Sequence, residues 1–180
     1  FLEKANQHGI ADLLTNPQTL DLLIKAIGHN KWPDTRDEVF QLACEKLAEE
    51  SNKSHRDFQR SHPINKNKIL ETAGYLSALL LLSGKIGFAL DQANANDHFI
   101  QLEDCIPLEL ETAFAAVRKK LFRLEGEEEK VAPYHRNIAE YLASKWLADQ
   151  VNNKKIPIAR ILNLLLGSSD RVIAGLRGLY

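Results

Sequence analysis

Methionine is absent from this 180-residue chain, and its first residues, "FLEKANQHGIADLL", already carry a helical pattern. A natural chain starts with methionine, so we expect an internal piece of a longer protein; the last residues, "DRVIAGLRGLY", stop in the same abrupt way. Cysteine is scarce. Cys44 and Cys105 show no CxxC or Cys/His spacing, and the expectation is two reduced, buried thiols in a cytoplasmic protein. A metal site assembled from His55, His62 and Cys44 fits no known ligand spacing, so no metal is expected. An excess of one charge is missing too. The formal net charge is −1 with 26% charged residues, which removes any global pull toward nucleic acid or an anionic membrane. The longest apolar run, "YLSALLLLSGKIGFAL" (75–90), is interrupted by Ser77, Ser83, Gly84, Lys85 and Gly87. It is too short and broken to span a bilayer and reads as a buried helix followed by a turn.

The familiar catalytic signatures are missing as well. There is no GxxxxGK[ST], GxGxxG, GxSxG or HExxH, so no catalytic residue is assigned and the chain alone is not expected to be an enzyme. No signal peptide is visible, and "NKS" at 52–54 carries no meaning as a glycosylation acceptor without a secretory context. Glu49–Glu50 and Glu127–Glu128–Glu129 read as a solvated helix end and a hairpin tip rather than as an acid pair.

What is present is helix after helix. Asn16 before Pro17 is a start signal, because proline at the first helical position loses no needed N–H. The helix it opens, Pro17 to Ile27, is expected to bury Leu20, Leu23, Ile24 and Ile27, with "GHN" ending it. Thr35 with Glu38 forms a capping box before a helix whose face is Val39, Leu42, Ala43 and Leu47. The polar stretch 52–68 reads as a connection between subdomains. Residues 69–82 are apolar nearly all round and are expected at the centre. "DQANAND" is a loop, "HFIQL" a short strand, and 108–121 another helix. Alternation at 121–124 and again near Val131, with "EGEE" between, predicts the one convincing β-hairpin. A helix over 137–150 follows, and 158–166 and 171–180 read as a helical pair.

The densest stretch is "VAPYHRNIAEYLASKWLADQ" at 131–150. With Asn137 as N-cap and Glu140 as its reciprocal partner, a helix would begin within two residues of His135. A helix N-terminus presents free N–H groups and the positive end of the dipole, which suits a phosphate. The residues alone leave two readings open: an anion-facing histidine, or a structural one packing hairpin against helix.

"PYHRNIAEYLASKWL" resembles the H-x-S-F-x-E-Y-L-A-A-x-Y-L segment near the end of the winged-helix domain in NACHT-type STAND ATPases. "LLTNPQTLDLLIKAI" with "WPDTRDEVFQLACEKLAEE" resembles the helical domain that follows their nucleotide-binding core, with its N-P-x-x-L motif. The resemblance implies a mostly α chain. Residues 1–60 would be the end of the helical lid domain and 61–150 a winged-helix-like domain with one small hairpin. Residues 151–180 would start a further helical domain. It implies that Pro17 packs on the adenine of a bound nucleotide and that His135 contacts the β-phosphate of ADP. Glu140, Tyr141, Leu142 and Trp146 match structural positions of the motif, whereas Arg136–Asn137–Ile138 depart from it.

ADP or ATP with Mg²⁺ would be held mainly by an upstream domain, so none is expected in this chain alone. The implied function is a regulatory module that couples nucleotide state to signalling or antiviral defence. Its partners would be the upstream core, a downstream sensor domain and, on activation, further copies of itself, with no membrane. Two alternatives stand beside it. One is a helical protein-interaction scaffold. The other is a DNA-binding winged helix with Arg118, Lys119 and Lys120 on phosphates, which the acidic wing residues Glu125, Glu127, Glu128 and Glu129 oppose.

Overall fold

The computed structural model describes residues 2–7, 11, 14, 17–27, 32–50, 64–105, 109–126, 129–166 and 171–179. Along the chain these form α1 (Leu2–Gln7), α2 (Pro17–Ile27), α3 (Arg36–Glu49), α4 (Lys66–Ser83), β1 (Gly87–Ala89) and β2 (Phe99–Gln101). They continue as α5 (Leu110–Val117), β3 (Phe122–Leu124), β4 (Lys130–Pro133), α6 (Arg136–Asn152) and α7 (Ile158–Leu165), with a closing 3-10 turn, Ala174–Leu179. The protein is mostly helical, with a small mixed sheet in the order β2-β1-β4-β3.

The central helix is α4, as its all-round apolar sequence predicts. It buries Ile69, Ala73, Leu76, Ala78 and Leu80 and packs on α3, α5 and α6. Asn65 caps its start by accepting from the Asn67 N–H at 2.9 Å. Gly84 stops it in the left-handed region at φ 67°, which only glycine enters without a steric penalty, and the Lys85 N–H bonds back to the Leu80 carbonyl at 3.1 Å.

The turn after α4 does not stay a turn. Gly87–Ala89 forms β1, which pairs parallel with β2 and antiparallel with β4, so the hairpin is the edge of a sheet rather than an isolated pair. In the hairpin itself β3 and β4 pair antiparallel, Arg123 opposite Ala132 and Leu124 opposite Val131, as the alternation predicts. The sheet closes one side of the main core. There Phe88 meets Phe122 edge to face at 6.4 Å and both pack with Leu76, Leu80, Val117, Ile138 and Leu142. Each such side chain taken out of water contributes about 1.5–3 kcal/mol.

The first helices form a smaller cluster. Ala5, Leu23 and Val39 are fully buried there, with α2 lying on α3. Ile24, expected inside, is 56% exposed, because α3 covers only one side of α2. The capping box is present in altered form: Thr35 Oγ1 accepts from the Glu38 N–H at 3.1 Å, while the Glu38 carboxylate reaches past Thr35 to the Asp34 N–H at 2.8 Å. The helix expected over 108–121 is shorter, ending at Val117, where Arg118 and Lys119 turn into β3. The C-terminal segment forms a third cluster, in which Ile161, Leu165, Leu176 and Leu179 pack on Ala78, Ala143 and Leu147 of α4 and α6. Its last element is a 3-10 turn rather than the expected helix. The "GHN" stop, Asn16 and residues 52–63 of the polar connection, with His55 and His62, lie outside the described residues, while 66–68 of that connection are already the first turn of α4.

Candidate functional site

His135 stands where the sheet hands the chain to α6. The hairpin ladder runs on past β4, with the Tyr134 N–H bonded to the Leu121 carbonyl at 2.9 Å. The next residue is therefore the first free to turn. His135 takes extended backbone angles, φ −143° and ψ 146°, and its carbonyl accepts from the Ile138 and Ala139 N–H groups, each at 3.1 Å. It is the N-cap. The expected cap, Asn137, is displaced into the first turn, because starting the helix there would leave residues 135 and 136 without backbone partners. Glu140 accordingly does not serve Asn137; its Oε1 accepts from Arg136 Nε at 2.7 Å.

The His135 ring is tilted against the Tyr134 ring, centroids 4.3 Å apart, and makes no side-chain cap bond. It lines a cleft of about 770 Å³ between the end of α4, the hairpin, the start of α6 and the C-terminal segment. Among the described residues no Asp or Glu lines this cleft, whereas Lys85, Arg123 and Arg136 do. These cations are tethered. Lys85 Nζ donates to the Asp97 carbonyl at 2.6 Å, Arg123 pairs with Glu125 at 3.3 Å, and Arg136 holds Glu140 and the Gly175 carbonyl. Glu125 and Glu140, both outside the cleft wall, thus balance two of the three cations, and Lys85 is held by a backbone carbonyl alone.

Pro17 is elsewhere. It opens α2 on an exposed position of the small N-terminal cluster, and no described residue of α2 lines the cleft that His135 faces. The structure does not gather the two expected nucleotide contacts into one pocket of this chain.

Three side chains further along α6 pack against neighbouring helices. Leu142 is buried in the main core, Trp146 meets Tyr75 edge to face at 5.3 Å, and Tyr141 stacks on Phe40 at 5.5 Å. The Tyr141 hydroxyl is enclosed with no hydrogen-bond partner at ordinary distance among the described residues. Burial pushes its pKa up, and the nearby Asp37 carboxylate pushes it further.

Both cysteines are reduced and buried, as expected. Burial pushes the Cys44 thiol up to about 12 and the Cys105 thiol to about 11, which leaves both neutral and unreactive. No group of His, Cys, Asp and Glu able to hold a metal occurs among the described residues.

Sequence reasoning missed Lys85 and Arg123, which only the fold brings beside His135. It also missed the role of Arg136, although the Arg136–Glu140 spacing of four was a visible signal. No protein family, curated protein or solved structure matches this chain.

Proposed function

We propose that this chain is the regulatory module of a NACHT-type STAND ATPase, a lid that closes over ADP or ATP held by an upstream phosphate-binding core. The observation that carries the reading is the seat of His135: it caps the 17-residue helix α6 and faces a cleft with three cations and no carboxylate in its described wall. A phosphate at that place meets the helix N-terminus, the histidine and the Lys85 ammonium together. A winged-helix assignment is supported by the order α4, β1, α5, β3, β4, α6 and by β4 lying between β1 and β3, with β2 an added edge strand.

In this reading His135 contacts the phosphate end of the nucleotide and the exposed Pro17 packs on its base. Mg²⁺ and the hydrolytic groups belong to the upstream core, and the chain supplies no catalytic residue. The lid's different contacts to ADP and ATP bias a closed-to-open equilibrium, and a ligand moves such an equilibrium only by its differential affinity. Opening frees surfaces for homo-oligomerisation and signalling in the cytoplasm. Among the described residues no helix is long and apolar enough to cross a membrane.

The test is to purify the intact protein that contains this chain, release its nucleotide by heat and identify it by chromatography. Stoichiometric ADP is expected in the wild type, with loss of ADP and raised basal signalling in His135→Ala. A wild-type protein that neither carries nor binds adenine nucleotide overturns the reading. It would favour the helical scaffold instead, for which the half-exposed Ile86, Leu164 and Ile173 beside the cleft are the supporting observation.

A further inference from the structure

Arg136, which departs from the family segment, bridges two elements. Its Nε donates to Glu140 Oε1 at 2.7 Å, one turn along α6, and its Nη2 donates to the Gly175 carbonyl in the closing 3-10 turn. The same turn lies along α6 further on. Ser144 Oγ is 3.4 Å from the Gly178 carbonyl, and Gly178 sits so tightly on the Glu140 carboxylate that a Cβ there would overlap it. Residues 136, 140 and 144 follow one another at intervals of four, which is one stripe along a helix. Leu176 and Leu179, 6% and 8% exposed, pin the turn from below.

An exposed Arg–Glu pair contributes little by itself. Here the guanidinium bonds through two nitrogens to two different elements, and the carboxylate lies between Arg136 and Gly178. Lifting the turn therefore breaks the Arg136 bond to the Gly175 carbonyl, and displacing Glu140 breaks its bond to Arg136, the neighbour of the capping histidine.

We propose that Arg136 is a positioning residue for His135: by joining Glu140 to the Gly175 carbonyl it locks the 174–179 turn across the start of α6 and fixes how His135 leaves the helix. The C-terminal segment is thereby a lever on the histidine. The consequence for nucleotide retention rests on the function proposed above; the mechanical coupling does not.

The test attacks the latch from both sides, with Arg136→Ala and with Gly178→Val, whose side chain drives the Glu140 carboxylate off Arg136. In this chain, NMR of the His135 imidazole and of the Leu176 and Leu179 methyls is expected to show shifts and broadening in both variants, with the Leu76 and Leu80 methyls unchanged. Arg136→Lys, which keeps the charge but lacks the planar fork, is expected to fall between wild type and Arg136→Ala. A His135 signal that stays at its wild-type position while the turn is released, or that moves in Arg136→Ala and not in Gly178→Val, overturns the proposal. In the intact protein, ADP dissociation is expected to accelerate about tenfold in either variant, the factor for loss of one charge-assisted bond. If the wild type holds no ADP, the lid reading fails while the NMR comparison still decides the latch.

Discussion

Gly74 of α4 faces Trp146 of α6 with no room between them. A Cβ on Gly74 would stand 2.8 Å from the Trp146 Cβ and 2.9 Å from the Leu142 carbonyl oxygen. The neighbouring Tyr75 ring meets the Trp146 indole edge to face, so the tryptophan cannot swing aside freely. This crossing joins the central helix to the helix that His135 caps.

Gly74→Ala sets two effects against each other. Alanine in a helix interior gains about 1 kcal/mol over glycine. Overpacking against atoms close to the backbone costs about 1–3 kcal/mol. The neighbours here are a carbonyl and a Cβ, neither able to yield by rotating a long side chain, so overpacking is expected to win. A urea melt should show a lower midpoint with an unchanged slope. A midpoint at or above wild type would mean that the two helices can separate at little cost.

The two thiols predict a one-sided pH dependence. Cys44 is pushed from an ordinary 9.0 to about 12 by burial, and Cys105 from 9.0 to about 11. Below about pH 9 both states keep their thiol protons and the contribution is flat. Above it the unfolded chain releases protons that the folded chain holds, so stability falls as pH rises, by about 1.4 kcal/mol per pH unit for Cys44 until its folded pKa is reached. Tyr75 and Tyr141 are pushed in the same direction and add to the fall at higher pH. The check is the urea midpoint between about pH 7 and pH 10. Cys44→Ala/Cys105→Ala is expected to lose much of the alkaline slope, and an unchanged slope would contradict the assignment. A thiol reagent near neutral pH should label the protein only once it is unfolded.

Much of this was legible in the residues, for reasons that differ by element. The centrality of α4 follows from its length and its lack of a polar face. The hairpin follows from alternation that pairs Leu124 with Val131. β1 was not legible. Its three residues carry no period of their own, and the "SGKIG" around them reads as a turn. They become a strand because β4 and β2 offer partners on both sides and Gly87 lets the Val131 carbonyl approach where a Cβ would collide. The cap of α6 was misplaced for a related reason. Local preference favours Asn137, but the bond from Tyr134 to Leu121 sets where the sheet releases the chain. The cleft was invisible because Lys85, Arg123 and Arg136 are far apart in sequence and only the sheet and the α4 terminus bring them together.

Thr35 gives a local prediction with a known scale. It is exposed, its backbone is extended, and its hydroxyl accepts the Glu38 N–H at the start of α3. Thr35→Ala removes the acceptor without opening a cavity and should cost about 1 kcal/mol by urea or thermal unfolding. Glu38→Ala should cost less, because its carboxylate serves the Asp34 N–H, which lies ahead of the helix. Equal losses for the two would mean that the glutamate closes the box after all.

The nucleic-acid alternative is open to a direct test, and the geometry sets its expected result. A recognition helix needs a row of cations on one exposed face to meet the phosphates. Here α5 ends at Val117, before that row begins. Arg118 lies over the Phe114 ring at 5.5 Å. Lys119 is 6% exposed, and burial holds its pKa below the usual lysine range. Lys120 Nζ donates to the Glu50 carboxylate at 2.5 Å, tying the segment to the end of α3. Of the hairpin acids opposed to a polyanion, Glu125 and Glu129 flank the ladder within the described residues. Fluorescence anisotropy with a labelled DNA duplex at about 50 mM salt should therefore show no saturable binding, since phosphate contacts would reveal themselves most strongly at low salt. Saturable binding that weakens steeply as salt is raised, and that Lys120→Glu abolishes, would reverse the assignment and return this segment to the role of a recognition element.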